Sequence, residues 1–173
     1  MLFFVIISLV IAQRLIEVLI AKRNEKRMFA QGAYEVGASH YPYMLALHSS
    51  FFVSLFAEVL YFERSISLIF PVLFVIFLIV QALRIWCLTS LGQFWNTKII
   101  ILPGSNVIKT GPYRFIRHPN YVIVCMEILL LPLMFQAYLT ALVFTCLNFA
   151  MLLVRIPQEE KALREATDYK SDF

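Results

Sequence analysis

The sequence predicts an all-α integral membrane protein of about five transmembrane helices. Two observations carry that expectation. Of 173 residues, 61% are apolar and 15% charged, against ~45–50% and ~25% in an average soluble domain, and the mean hydropathy is +0.77. Apolar stretches approaching the ~20 residues that a spanning helix needs also recur along the chain. A soluble domain of this size has too much surface for such a composition. A nucleic-acid-binding module, a disordered chain and an ordinary cytosolic enzyme are thereby excluded. The length suits a single membrane domain over 1–173.

The spans fall at about 2–20, 43–62, 66–88, 119–134 and 137–154. The first has no basic residue ahead of it, and Lys22, Arg23, Lys26 and Arg27 follow it. A cleaved signal peptide has the opposite order, so the first span reads as an uncleaved anchor with its N-terminus outside. The last two spans form a C-terminal helical hairpin, for which Pro132 and Gln136 offer the turn. Lys and Arg test this topology. Four lie in 21–42, four in the loop 89–118 and four in the tail 155–173, while Arg64 alone lies on the other side. Such asymmetry places these three segments inside. Arg14 and Arg84 lie within spans near their inner ends, where long side chains can snorkel. Cys87, Cys125 and Cys146 all sit in apolar runs with no CxxC spacing, which supports neither a disulfide framework nor a metal site.

Polar chemistry concentrates on the inner side. In the run Gly111-Pro112-Tyr113-Arg114-Phe115-Ile116-Arg117-His118-Pro119-Asn120-Tyr121, Gly111-Pro112 signals a turn and Pro119 suits the first position of a helix. Free backbone N–H groups at that helix start, with two arginines and a histidine around it, suit a carboxylate or phosphate. A basic patch on lipid headgroups is the plainer alternative. One hairpin later comes Arg155-Ile156-Pro157-Gln158-Glu159-Glu160. Arg155 and Glu159 have the spacing of a surface pair on a helix. Alternatively the two carboxylates face the basic loop and take a ligand's ammonium. A zwitterionic cofactor with an amino-acid group fits that second layout.

Other polar residues stand out. Gln81 and Arg84 are candidates to line a polar cavity. His48 and Glu127 are ionisable within spans, which makes each a candidate functional group. Glu58 and Glu63 lie near the outer end of the second span, where interfacial water accounts for them. His40-Tyr41-Pro42-Tyr43 is a candidate pocket wall.

The runs GPYRFIRHPNY (111–121) and RIPQEEKAL (155–163), with LRIWCLTSLGQFWNTKIIILPG (83–104) ahead of them, resemble the isoprenylcysteine carboxyl methyltransferase family. The first residues, including NEKRMFAQGAYEVGASHYPYM (24–44), look like its small bacterial members, some of which O-methylate long-chain alkylpyrones made by type III polyketide synthases. The resemblance implies S-adenosylmethionine as methyl donor. It implies a cofactor site at the cytosolic face and a lipophilic acceptor entering from the bilayer, with no nucleic-acid partner. Carried over by motif, Tyr113, Arg117, His118, Pro119, Tyr121 and Glu160 would bind the cofactor. Arg155 and Glu159 would be catalytic, with no metal.

The expected reaction is in-line displacement of the sulfonium methyl by an acceptor oxygen, driven by alignment and exclusion of water. A carboxylate is already ionised at neutral pH, and an acidic enol behaves alike. An alcohol would need a base, and the sequence offers no convincing one. A phospholipid N-methyltransferase and a non-catalytic membrane-interaction protein are the competing readings.

Overall fold

A computed structural model describes residues 1–169. Lys170, counted above with the tail charges, lies outside the described residues. Five α-helices form: α1 (Leu2–Ala30), α2 (Tyr41–Tyr61), α3 (Phe70–Leu91), α4 (Pro119–Met134) and α5 (Tyr138–Ala166). Two short strands, β1 (Tyr34–Val36) and β2 (Ile99–Ile101), and the 3₁₀ turns Gly92–Phe94 and Gly111–Arg114 complete the elements. The protein is therefore an all-α membrane protein with one small strand pair. Four helices are long and apolar enough to cross a membrane, and the shorter α4 has 16 residues. At 1.5 Å per residue α4 is ~24 Å long, short of the ~30 Å hydrocarbon thickness.

Two compact units are distinguished. One comprises 1–38, 91–108 and the chain from Gln158, and the other 39–90 and 109–157. In the first, α1 runs ten residues past the expected end of its span. The extension is rich in good helix formers, and its polar residues have partners. Asn24 Nδ2 donates to the carbonyls of Gly92 (3.0 Å) and Trp95 (2.9 Å). Lys98 Nζ bridges Glu25 (2.8 Å) on α1 and Glu35 (3.1 Å) on β1. These bonds hold a segment that the sequence read only as a loop. Within it the β-branched run Ile99–Ile101 pairs antiparallel with β1, Tyr34 opposite Ile101 and Val36 opposite Ile99. The buried Ile99 and Ile101 pack on Ala162, Leu163 and Ala166 of α5. That apolar contact explains why α5 continues through Pro157 to Ala166 instead of ending near 154. An internal proline costs an intrahelical bond, and the contact beyond it offsets the loss.

In the second unit the α4–α5 hairpin forms as expected, but its turn is shifted. Pro132 lies inside the last turn of α4. Ala137 N–H donates to the Pro132 carbonyl (2.9 Å) and Gln136 N–H to that of Leu133 (3.4 Å). With Gln136 at φ +56°, this is a Schellman ending with glutamine in the left-handed position. The next helix starts after Ala137, which has no capping side chain. Glu58 of α2 does that work. Its carboxylate accepts from the N–H groups of Leu139 (3.2 Å) and Thr140 (2.7 Å), the Thr140 hydroxyl (2.8 Å) and Arg64 (3.4 Å). Glu58 is only 5% exposed, so interfacial water is not its explanation. It satisfies amides that every helix start leaves open.

The snorkelling expectation for Arg84 is also corrected. Arg84 is buried, and its Nη1 meets Glu127 Oε2 at 3.1 Å. Gln81 Nε2 donates to the other Glu127 oxygen at 2.8 Å. These polar groups cross-link α3 and α4. Arg14 likewise pairs with Glu17 one turn along α1, at 2.6 Å.

Candidate functional site

In the second unit the segment from Lys109 is fixed to α3 before it enters α4. Gly111 has φ +59°, and a Cβ there would collide with the Ser90 hydroxyl and sit 2.9 Å from Trp86 Nε1. Glycine is required both by the backbone and by this close approach. Tyr113 follows, buried, and its side chain reaches the Cys87 thiol. Arg114, Phe115, Ile116 and Arg117 are exposed. Two exposed apolar residues between two arginines suit a membrane surface.

His118 is the N-cap of α4 and Pro119 its buried first residue. The His118 and Tyr121 rings lie 5.4 Å apart, inclined at 31°. Asn120, between them in sequence, has a buried Oδ1 with no hydrogen-bond partner among the described residues. The sequence reading passed over Asn120, although it stands inside the motif.

Arg155 on α5 comes to the same helix end. Its Nε donates to the Tyr121 hydroxyl at 2.8 Å, and its guanidinium lies 5.8 Å from the centre of that ring. Its Nη1 reaches Met44 Sδ on α2 at 2.8 Å. Arg155 is 5% exposed, so this is a guanidinium withdrawn from solvent, where charge-assisted bonds are strong. His40, the buried N-cap of α2, is near enough to feel it. Burial, then the Arg155 charge, lowers the His40 pKa below its usual value. His48 Nδ1 lies 2.8 Å from the Met44 carbonyl one turn earlier on α2.

The structure thus brings His118, Pro119, Tyr121 and Arg155 to one place, with Tyr113 and Arg117 on the segment leading to it. Glu159 and Glu160 lie in the other unit, on the continuation of α5, both partly buried. Glu160 accepts from Arg164 (2.8 Å) and from the Tyr169 hydroxyl (3.4 Å). Glu127 is an interhelix partner to Arg84. His40 and Met44 at the start of α2 come to Arg155 although they are far in sequence from both motifs.

Residues 72–165 match the family model described as isoprenylcysteine carboxyl methyltransferase (ICMT) family. The chain is 46% identical over 163 residues to YpbQ of Bacillus subtilis, described as uncharacterized, covering 94% of this chain and 97% of that one. A Haemophilus influenzae protein, also described as uncharacterized, is 29% identical over 155 residues, covering 89% and 90%. No solved structure matches.

Proposed function

The chain belongs to the isoprenylcysteine carboxyl methyltransferase family, and from that premise we propose that it moves a methyl group from S-adenosylmethionine to an oxygen of a lipophilic acid or enol. The acceptor enters from the bilayer and reacts at the cytosolic face of the cell membrane. The N-terminus is outside and the C-terminus inside, a reading supported by twelve inner Lys and Arg against one outer. A long-chain alkylpyrone is one acceptor of the right chemistry.

The observation that carries this reading is the buried Arg155 guanidinium bonded to Tyr121 at the start of α4. A planar cationic fork suits the oxygen of a carboxylate or enolate. It does not suit an amine acceptor, whose product is a cation. The loop also fits the donor's amino-acid end. Asn120 Oδ1, buried and unbonded among the described residues, is an acceptor for an ammonium or hydroxyl group, and the exposed Arg117 is a partner for a carboxylate. Tyr113, His118, Pro119 and Tyr121 complete the walls. Glu160 as a cofactor-binding residue and Glu159 as a catalytic one are carried over by the family motif alone.

When bound, the donor supplies an electrophilic methyl carbon on a sulfonium. The chain's part is to hold the acceptor oxygen on the far side of that carbon from sulfur and to keep water away. Arg155 fixes the oxygen, and Tyr121 and Met44 fix Arg155.

Binding of S-adenosylmethionine to the purified protein in detergent tests the reading, with Arg117→Ala and Glu159→Ala beside it. Saturable binding, weakened in both variants, is expected, followed by labelled-methyl transfer to lipophilic acids or enols. Folded wild-type protein that binds no donor overturns the proposal.

A further inference from the structure

The proposed acceptors above need no base, because they ionise unaided. His40 points to a wider class. It is 8% exposed, and its buried Nδ1 has no hydrogen-bond partner among the described residues. Such an atom normally has a partner, and one without calls for an explanation. Its surroundings are specific. His40 precedes Met44 by one helical turn, and the His40 carbonyl accepts the Met44 N–H at 3.2 Å. Residues four apart share a helix face, and on that face Met44 receives the Arg155 guanidinium.

We infer that His40 takes the proton from the methyl acceptor, so that the protein methylates lipophilic hydroxyls still protonated at neutral pH, with alkylphenols as the class. The inference rests on the methyltransferase reading above. A phenol like that of tyrosine loses its proton only near pH ~10, so Arg155 alone would meet a neutral, poorly nucleophilic oxygen. A neutral imidazole beside it completes the pair. The O–H bond breaks and its proton passes to His40 Nδ1. The freed oxygen pair forms the new bond to the methyl carbon, and the carbon–sulfur pair remains on sulfur, which becomes a neutral thioether. The imidazolium then returns its proton to water. Burial, and after it the Arg155 charge, keeps the resting imidazole neutral, and Arg155 stabilises the oxygen as negative charge develops.

The test uses the full chain in detergent and a long-chain alkyl nitrophenol, whose phenolate absorbs in the visible. Without donor, the bound probe should ionise at lower pH in wild type than in His40→Asn or His40→Phe, by about one pH unit, a tenfold change in acidity. In parallel, methyl transfer to an alkylphenol should fall about 100-fold in His40→Asn, with donor binding unchanged. Equal ionisation midpoints in wild type and the variants overturn the inference. So does a wild-type probe that ionises no more readily than in detergent alone, a result that needs no variant to fold. Loss of the methyltransferase reading is seen separately, as failure of the wild type to bind S-adenosylmethionine.

Discussion

Arg155 and Tyr121, 34 residues apart in sequence, are joined by a 2.8 Å hydrogen bond from Nε to the phenolic oxygen. The bond ties the first turn of α4 to α5, so Arg155, which opens the second motif, stands with the first motif. Arg155→Lys keeps the charge but loses the planar fork and the Nε donor. We expect it to lower methyl transfer at least about 100-fold, the scale for removing one well-placed donor, with little change in thermal stability. Tyr121→Phe should act in the same direction and more weakly, since only the donor's partner is lost. Near-normal turnover in Arg155→Lys removes Arg155 from the reaction.

The buried Arg84–Glu127 pair gives a stability prediction. Its side chains are 7% and 6% exposed, so removing one leaves the other charge stranded. Glu127→Leu or Arg84→Met should each cost about 3–5 kcal/mol, because the remaining charge is left buried and unpaired. The double variant Arg84→Met, Glu127→Leu should recover most of that, because two well-packed apolar residues avoid desolvation altogether. Thermal unfolding of all four proteins in one detergent measures the cycle. Purely additive losses would show that the two residues act independently.

Much of this was legible in the sequence because membrane solvation imposes simple rules. Residues 119–134 emerged as a helix from Pro119 and an apolar run, and the hairpin followed from the charges that must return to one side. The misses share one cause. Glu58, Arg84 and Glu127 take their meaning from partners on other helices, and single-chain pattern reading sees each as an isolated polar residue in an apolar run. The strand pair was missed because three isoleucines in a loop carry no period. His40 was visible only as a wall residue, since nothing local connects it with Arg155. The shared place of the loop's motif residues at the start of α4 was legible because each lies beside the others in sequence.

Glu58 offers a second stability test, of a cap supplied from another helix. Glu58→Ala leaves the N–H groups of Leu139 and Thr140 without their carboxylate. The loss should be about 2–3 kcal/mol, at or above the upper end for helix caps because the acceptor is charged and buried. Glu58→Gln keeps one acceptor oxygen and should lose less. Hydrogen exchange at the α5 start would locate the effect. Protection of Leu139 and Thr140 unchanged in Glu58→Ala would mean that something else caps the helix.

At Gly111 both backbone and space are limiting. Gly111→Ala puts a side chain at φ +59° and drives its Cβ into Ser90 and toward Trp86. The loop must then lift from α3, displacing Tyr113 and the motif that follows. We expect weakened donor binding together with a loss of about 1–3 kcal/mol from the strained backbone. Ser90→Gly in the same chain relieves the collision but not the φ, so it should restore only part of the loss. Complete restoration would assign the whole effect to crowding.

The acid sensitivity of the fold should trace to His40. Its folded pKa lies below the ordinary 6.5 because of burial and then Arg155. Above that ordinary value the imidazole is neutral in both folded and unfolded chains and pH has no purchase on it. As pH falls below about 6.5, the unfolded chain binds a proton that the folded chain resists, so stability falls, and the loss levels off once the folded site is also protonated. Lys98 behaves oppositely. Its two carboxylate partners raise its pKa above 10.5, so its contribution persists through this range and is lost only in strong alkali. Unfolding measured between pH 8 and 5, intervals of about half a unit sufficing, should show a decline in wild type that flattens in His40→Asn. An equal decline in both proteins would move the acid-sensitive group elsewhere, among the carboxylates whose partners hold the other joints of the fold.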